Sequence, residues 1–201
     1  VQNNAITIAT TGIYANGSTP VSTSGMNNLS ITGNNITVNT TIAAFAMRVA
    51  NGQNSSISQN TMSVTTTTTS APVGISLESR FTSSSVTRNN IINIISTNTG
   101  GEGGRGITIG TDSATSNLTI ANNFIAGING SNWNLFTNSS SMGIAIGIIG
   151  NATTATNATG GVNLYHNSVN LYGSMDAVST TALTAALYVG SAVTALDIRN
   201  N

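Results

Sequence analysis

GITIG-TDSATS-NLTIANN-FIAGI, residues 106–128, holds three short apolar alternations. Each is too brief for a helix and suits a strand, because period-two alternation buries every second side chain. Asn123 stands three residues after Ile120 and Ile125 two further on, which sets a frame φ-x-x-N-x-φ, where φ is apolar. The frame recurs at Val1/Asn4/Ile6, Ile31/Asn34/Ile36, Ile57/Asn60/Met62, Val86/Asn89/Ile91 and Leu164/Asn167/Val169, and Ile198/Asn201 opens a seventh copy. The Asn-to-Asn spacings are 30, 26, 29, 34, 44 and 34 residues. A fixed core with connections of variable length is the signature of a repeat architecture. A second element, small-φ-x-φ, falls once between successive Asn anchors, beginning at Gly12, Ala46, Gly74, Gly106, Gly143 and Ala186. Each repeat therefore carries three short strands: one of this kind, one leading into the Asn and one leaving it. Such a unit buries its apolar face only by enclosing an interior and stacking on its neighbours.

Composition agrees. Ser, Thr and Asn supply 86 of 201 residues, 5% are charged, and Lys is absent. The scarcity of helix formers and the abundance of β-branched residues favour extended strands, while regularly spaced Ile and Val speak against disorder. Five Arg balance five acids, so there is no basic field for a nucleic acid. The longest apolar runs, such as residues 143–150, are far shorter than the ~20 residues that span a bilayer, so no membrane insertion is expected. One His, no Cys and scattered acids offer no metal cluster and no nucleophilic triad, and nothing suggests a cofactor.

The pattern resembles the right-handed parallel β-helix repeat family of pectate-lyase-like architecture, whose coils read GIxI…NxxIxxNxI. The stretch GVNLYHNSVNLYG, residues 161–173, is further similar to β-helical surface proteins secreted by Bacteroidota. The resemblance implies an all-β, right-handed single-stranded parallel β-helix of about six coils, three short strands per coil. Residues 1–201 are expected to form one domain, a segment of a longer repeat array. The same solenoid carries enzymes, adhesins and fibres, so the fold alone does not assign a function.

Asn4, Asn34, Asn60, Asn89, Asn123, Asn167 and Asn201 are expected to form a structural ladder at one corner, since Asn tolerates left-handed backbone and its amide can bond from coil to coil. His166 falls in the corner position before an anchor, which Asn3, Gly33, Gln59, Arg88, Asn122 and Asn200 hold elsewhere, and reads as a polar corner residue. Asn93 and Gly127 stand where an apolar residue is due, and Ile94 and Ile128 one place later imply a one-residue bulge in each strand.

From each Asn to the next small-φ-x-φ element the distances are 8, 12, 14, 17, 20 and 19 residues, so loops at one corner lengthen along the chain and should form a lateral surface. It would carry Glu102, Trp133, Phe136 and Asp176, read either as a glycan-binding surface or as a small satellite core pinning a long loop. Glu78 and Arg80 read as a solvated ion pair. Asp112-Ser113-Ala114 matches a short O-glycosylation pattern of Bacteroidota, at Ser113.

The outward residues of the small-φ-x-φ strands, Tyr14, Arg48, Ser76, Thr108, Ala145 and Tyr188, include no acid, whereas polysaccharide-cleaving solenoids set several carboxylates on one face. The expected function is that of a structural or adhesive protein of the cell surface or extracellular space, a segment of an array or filament whose partners are neighbouring coils or subunits stacked end to end and surface glycans. A polysaccharide-binding or polysaccharide-degrading lyase or hydrolase is the alternative. Ice or crystalline-glycan binding is third, and the candidate row Thr7, Thr37, Ser63, Ile92, Ala126, Asn170 loses its Thr register after two coils.

Overall fold

A computed structural model describes residues 1–8, 10–18, 25–98, 102–130, 141–151, 158–172 and 184–201. Three six-stranded parallel sheets wrap one apolar interior, with no helix among the described residues. The approach sheet, leading into the Asn corner, stacks Ser30–Thr32, Ser56–Ser58, Ser85–Thr87, Leu118–Ala121, Thr159–Tyr165 and Val193–Arg199. The exit sheet stacks Ala5–Ile8, Asn35–Thr40, Thr61–Thr66, Asn90–Ser96, Phe124–Gly130 and Ser168–Asn170. The small-φ-x-φ strands make the third, here the cross sheet: Thr11–Asn16, Phe45–Ala50, Val73–Leu77, Arg105–Ile109, Met142–Ile146 and Ala185–Val189. This is the expected parallel β-helix.

Register places like on like. Ile31, Ile57, Val86, Ile120 and Leu164 form one column, and Ile36, Met62, Ile91 and Ile125 another. Met47, Ile75, Ile107 and Ile144 form a third, and all of these side chains are buried in a single cluster or its rim. Each is worth roughly 1.5–3 kcal/mol for leaving water. The small residue before this last column has a cause in the structure. A Cβ on Gly74 or Gly106 would lie 2.5 Å from the carbonyl oxygen of the next coil and 2.6 Å from an Ile γ-methyl of the exit sheet.

The expected bulge is present in both strands. Asn93 (φ +57°) and Gly127 (φ +64°) take left-handed backbone, the pairing with Thr61–Thr66 slips between Ile91 and Ile94, and the two bulged strands stay in phase with each other.

Two corners are built on left-handed residues. At the Asn corner these are Asn3, Gly33, Gln59, Arg88, Asn122, His166 and Asn200, one place before each ladder Asn. This corrects the expected reason for the ladder: its asparagines bond coil to coil while their predecessors take the strained conformation. The other corner uses Asn28, Asn54, Ser83, Asn117, Gly161 and Ala195, each three residues before the apolar residue that opens the frame.

Candidate functional site

Each inner ladder amide is saturated. Asn123 Oδ1 accepts the backbone N–H of Asn89 at 3.0 Å and its Nδ2 at 3.0 Å, while Asn123 Nδ2 donates to Asn167 Oδ1 and Val86 O, both at 2.9 Å. The same links join Asn34 to Asn60, Asn60 to Asn89 and Asn167 to Asn201, and Asn4 joins Asn34. Asn34, Asn60, Asn89, Asn123 and Asn167 are buried. With two donors and two acceptor sites used, these amides have nothing left for a ligand. A shorter ladder at the second corner was not foreseen. Ser55 Oγ accepts from Leu29 N and donates to Gln53 O, and Ser84 Oγ accepts from Ser55 N and donates to Thr82 O.

Charge gathers on the outer face of the cross sheet. Arg48 donates from Nε and Nη2 to the two carboxylate oxygens of Glu78, each at 2.8 Å, and lies over the rings of Phe45 (4.7 Å) and Tyr14 (5.3 Å). Ser76 Oγ donates to Glu78 Oε1 at 2.8 Å and receives Thr108 Oγ1 at 3.1 Å. The hydrogen bonds it donates to Glu78 hold the Arg48 guanidinium above its ordinary pKa. Glu78 is therefore the buried partner of Arg48 and does not form the expected solvated pair with Arg80, which sits at a left-handed turn donating its N–H to Thr111 O. Arg48 lies beside Ser76 of the next coil, and Glu78 stands two residues after Ser76.

Glu102 leaves the open surface expected of it and is buried, with Oε2 3.1 Å from Nη2 of the fully buried Arg105. Arg105 Nη1 also donates to Gly150 O at 2.9 Å. Burial pushes the Glu102 carboxyl above the usual carboxylate range, against the opposing pull of Arg105 and the Ala71 N–H. Burial likewise brings Arg105 down to about 10, against the pull of Glu102. Desolvation thus outweighs pairing for both partners.

The cover over this face is the turn after Met142–Ile146. Gly147 and Gly150 take φ of +87° and +52°. A Cβ on Gly150 would lie 3.2 Å from both Glu78 Oε1 and a Phe45 ring carbon, so the turn reaches back over earlier coils. Ile148 joins Met142, Ala145 and Tyr188 in a small apolar cluster outside the solenoid.

Two other carboxylates are engaged. Asp112 accepts from the Ser79 hydroxyl. Asp197 accepts from Arg199 and Tyr165 at 2.7–2.9 Å, bonds that hold its pKa below the usual value. Trp133, Phe136 and Asp176 lie outside the described residues. Ser113 is half-buried in a turn, where its Oγ accepts the Thr115 N–H. His166 holds its corner by donating its backbone N–H to Arg199 O. Among the described residues no three His, Cys, Asp or Glu side chains could hold a metal ion.

The interior reaches the surface at the last coil. A cavity of about 330 Å³ opens there among Ile144, Leu164, Val169, Leu187, Ile198 and Asn201, with Val189 and Ile198 exposed; Val1 and Ile8 are exposed at the opposite end.

No family model, curated protein or solved structure matches this chain.

Proposed function

We propose that the chain is a structural or adhesive β-solenoid of the cell surface or extracellular space, built to be extended by further coils of its own chain or of a neighbouring subunit. One observation carries this reading: Glu78, Glu102, Asp112 and Asp197 are each held by a partner from the protein itself. General acid–base work on a glycan needs a carboxyl aimed at the substrate, and these four are tied to Arg and hydroxyl groups. The inner asparagines of the ladder are saturated in the same way. Ile198 and Val189, exposed beside an apolar cavity, suit contact with another coil far better than water.

Sedimentation over a range of concentrations is the test. Wild type is expected to grow end to end, and Ile198→Asp to suppress that growth. A stable monomer at all concentrations, or release of reducing or unsaturated ends from a polysaccharide, would sink the reading.

A further inference from the structure

Over its first four strands the approach sheet turns an uncharged, hydroxylated surface outward, before the same column passes through Asn163 to Asp197. Ser30, Ser56, Ser85 and Thr119 stand in one column across four coils. Beside it runs an open groove of about 450 Å³ across three coils. Ser55 and Ser84 form its floor, fixed by the hydroxyl ladder described above. Its outer wall is the left-handed corner, where Asn54, Ser83 and Asn117 are exposed.

The floor is committed and the walls are not. Within the described residues the hydroxyls of Ser56, Ser83, Ser85 and Thr119 and the amide of Asn117 make no hydrogen bond. Asn54 gives Nδ2 to Asn27 at 3.0 Å and keeps its Oδ1 open. Free groups of one chemical kind, repeated coil by coil above a rigid base, are preorganised for a repeating partner.

We propose that this groove binds an uncharged glycan chain laid along the solenoid axis. Its lining has no charged side chain, so a phosphate or uronate polymer would shed water without gaining a counter-charge. Hydroxyls and amides both donate and accept, as sugar hydroxyls do. Coils follow one another at ~4.8 Å, comparable with the advance of an extended sugar chain per residue, so successive sugars meet the same set of partners. No aromatic ring lines the groove. Affinity therefore accumulates over several sugars and depends on chain length. The groove lies along the side of the rod and does not require end-to-end stacking, so either proposal can fail alone.

The test is an amide-resolved NMR titration of the isotope-labelled protein with cellohexaose and with maltohexaose, using hexagalacturonate as the acidic control. Shifts are expected at Asn54, Ser83, Ser85, Asn117 and Thr119 with at least one neutral hexasaccharide, with at least ten-fold weaker binding of the matching disaccharide. Ser85→Arg with Thr119→Arg should weaken binding at least ten-fold. Ser56→Arg gives the same readout if the double variant does not fold. Shifts absent from these residues with both neutral sugars, equal binding of hexagalacturonate, or undiminished binding by the arginine variants would each overturn the proposal.

Discussion

The Asn ladder and the Glu102–Arg105 patch both bury polar groups, and they solve the problem in opposite ways. At each inner ladder Asn every side-chain lone pair and N–H meets a neutral amide partner from side chain or main chain, so nothing titrates and each coil satisfies the next. In the patch two full charges lose water, and their pairing does not fully compensate, as the raised Glu102 and lowered Arg105 pKa values show. Repetition favours the first solution. The second appears where a covering turn is tied to a sheet.

Breaking the patch should have the largest effect. Arg105→Ala leaves Glu102 buried without its cation, and a loss of about 3–5 kcal/mol is expected by chemical denaturation at neutral pH. The loss should shrink in acid, where Glu102 is protonated. A loss that does not vary with pH would mean that packing, and not charge, makes Arg105 matter.

Next comes the ladder. Asn123→Ala removes the acceptor of the buried Asn89 N–H, the side-chain donor to Val86 O and one partner each of Asn89 Nδ2 and Asn167 Oδ1, which keep Ile57 O and the residue-123 N–H, with an expected cost of about 3 kcal/mol. The exposed Asn4 provides the internal control, and Asn4→Ala should cost less than about 1 kcal/mol. Equal costs would show that the ladder owes its strength to something other than burial.

Glu102→Gln sharpens the contrast through pH. A carboxyl whose folded pKa lies above its unfolded value binds its proton more tightly in the folded chain, so its ionisation lowers stability as pH rises from about the ordinary 4.5 through the folded value. Wild type should therefore lose stability relative to Glu102→Gln across that window. Parallel profiles for the two proteins would refute the assignment. The smallest effect is expected at the second corner, where Ser84→Ala removes one hydroxyl link and should cost about 1 kcal/mol.

What the sequence made legible was whatever repeats. The frame around Ile120 and Asn123 fixed which residues stack, and even the bulges at Asn93 and Gly127 showed as displaced apolar residues. The second corner was equally periodic, three residues before each frame, but mixed Asn, Ser, Gly and Ala hid it. Charge pairing was not legible by nearness in sequence. Glu78 beside Arg80 suggested a local pair, while the true partner, Arg48, lay one coil away. The covering turn was hidden for another reason: residues 143–150 read as one apolar run, yet Ile144 faces the interior and Ile148 faces out.

The ladder also has a sense. From Asn34 to Asn167, each ladder Asn sends its backbone N–H and one amide hydrogen toward the following coil and receives on Oδ1 from the preceding one. The column thus keeps one polarity at every step, like a row of magnets laid head to tail. A coil turned the other way would set acceptor against acceptor or donor against donor. A single column of amides therefore carries an arrow that each coil obeys.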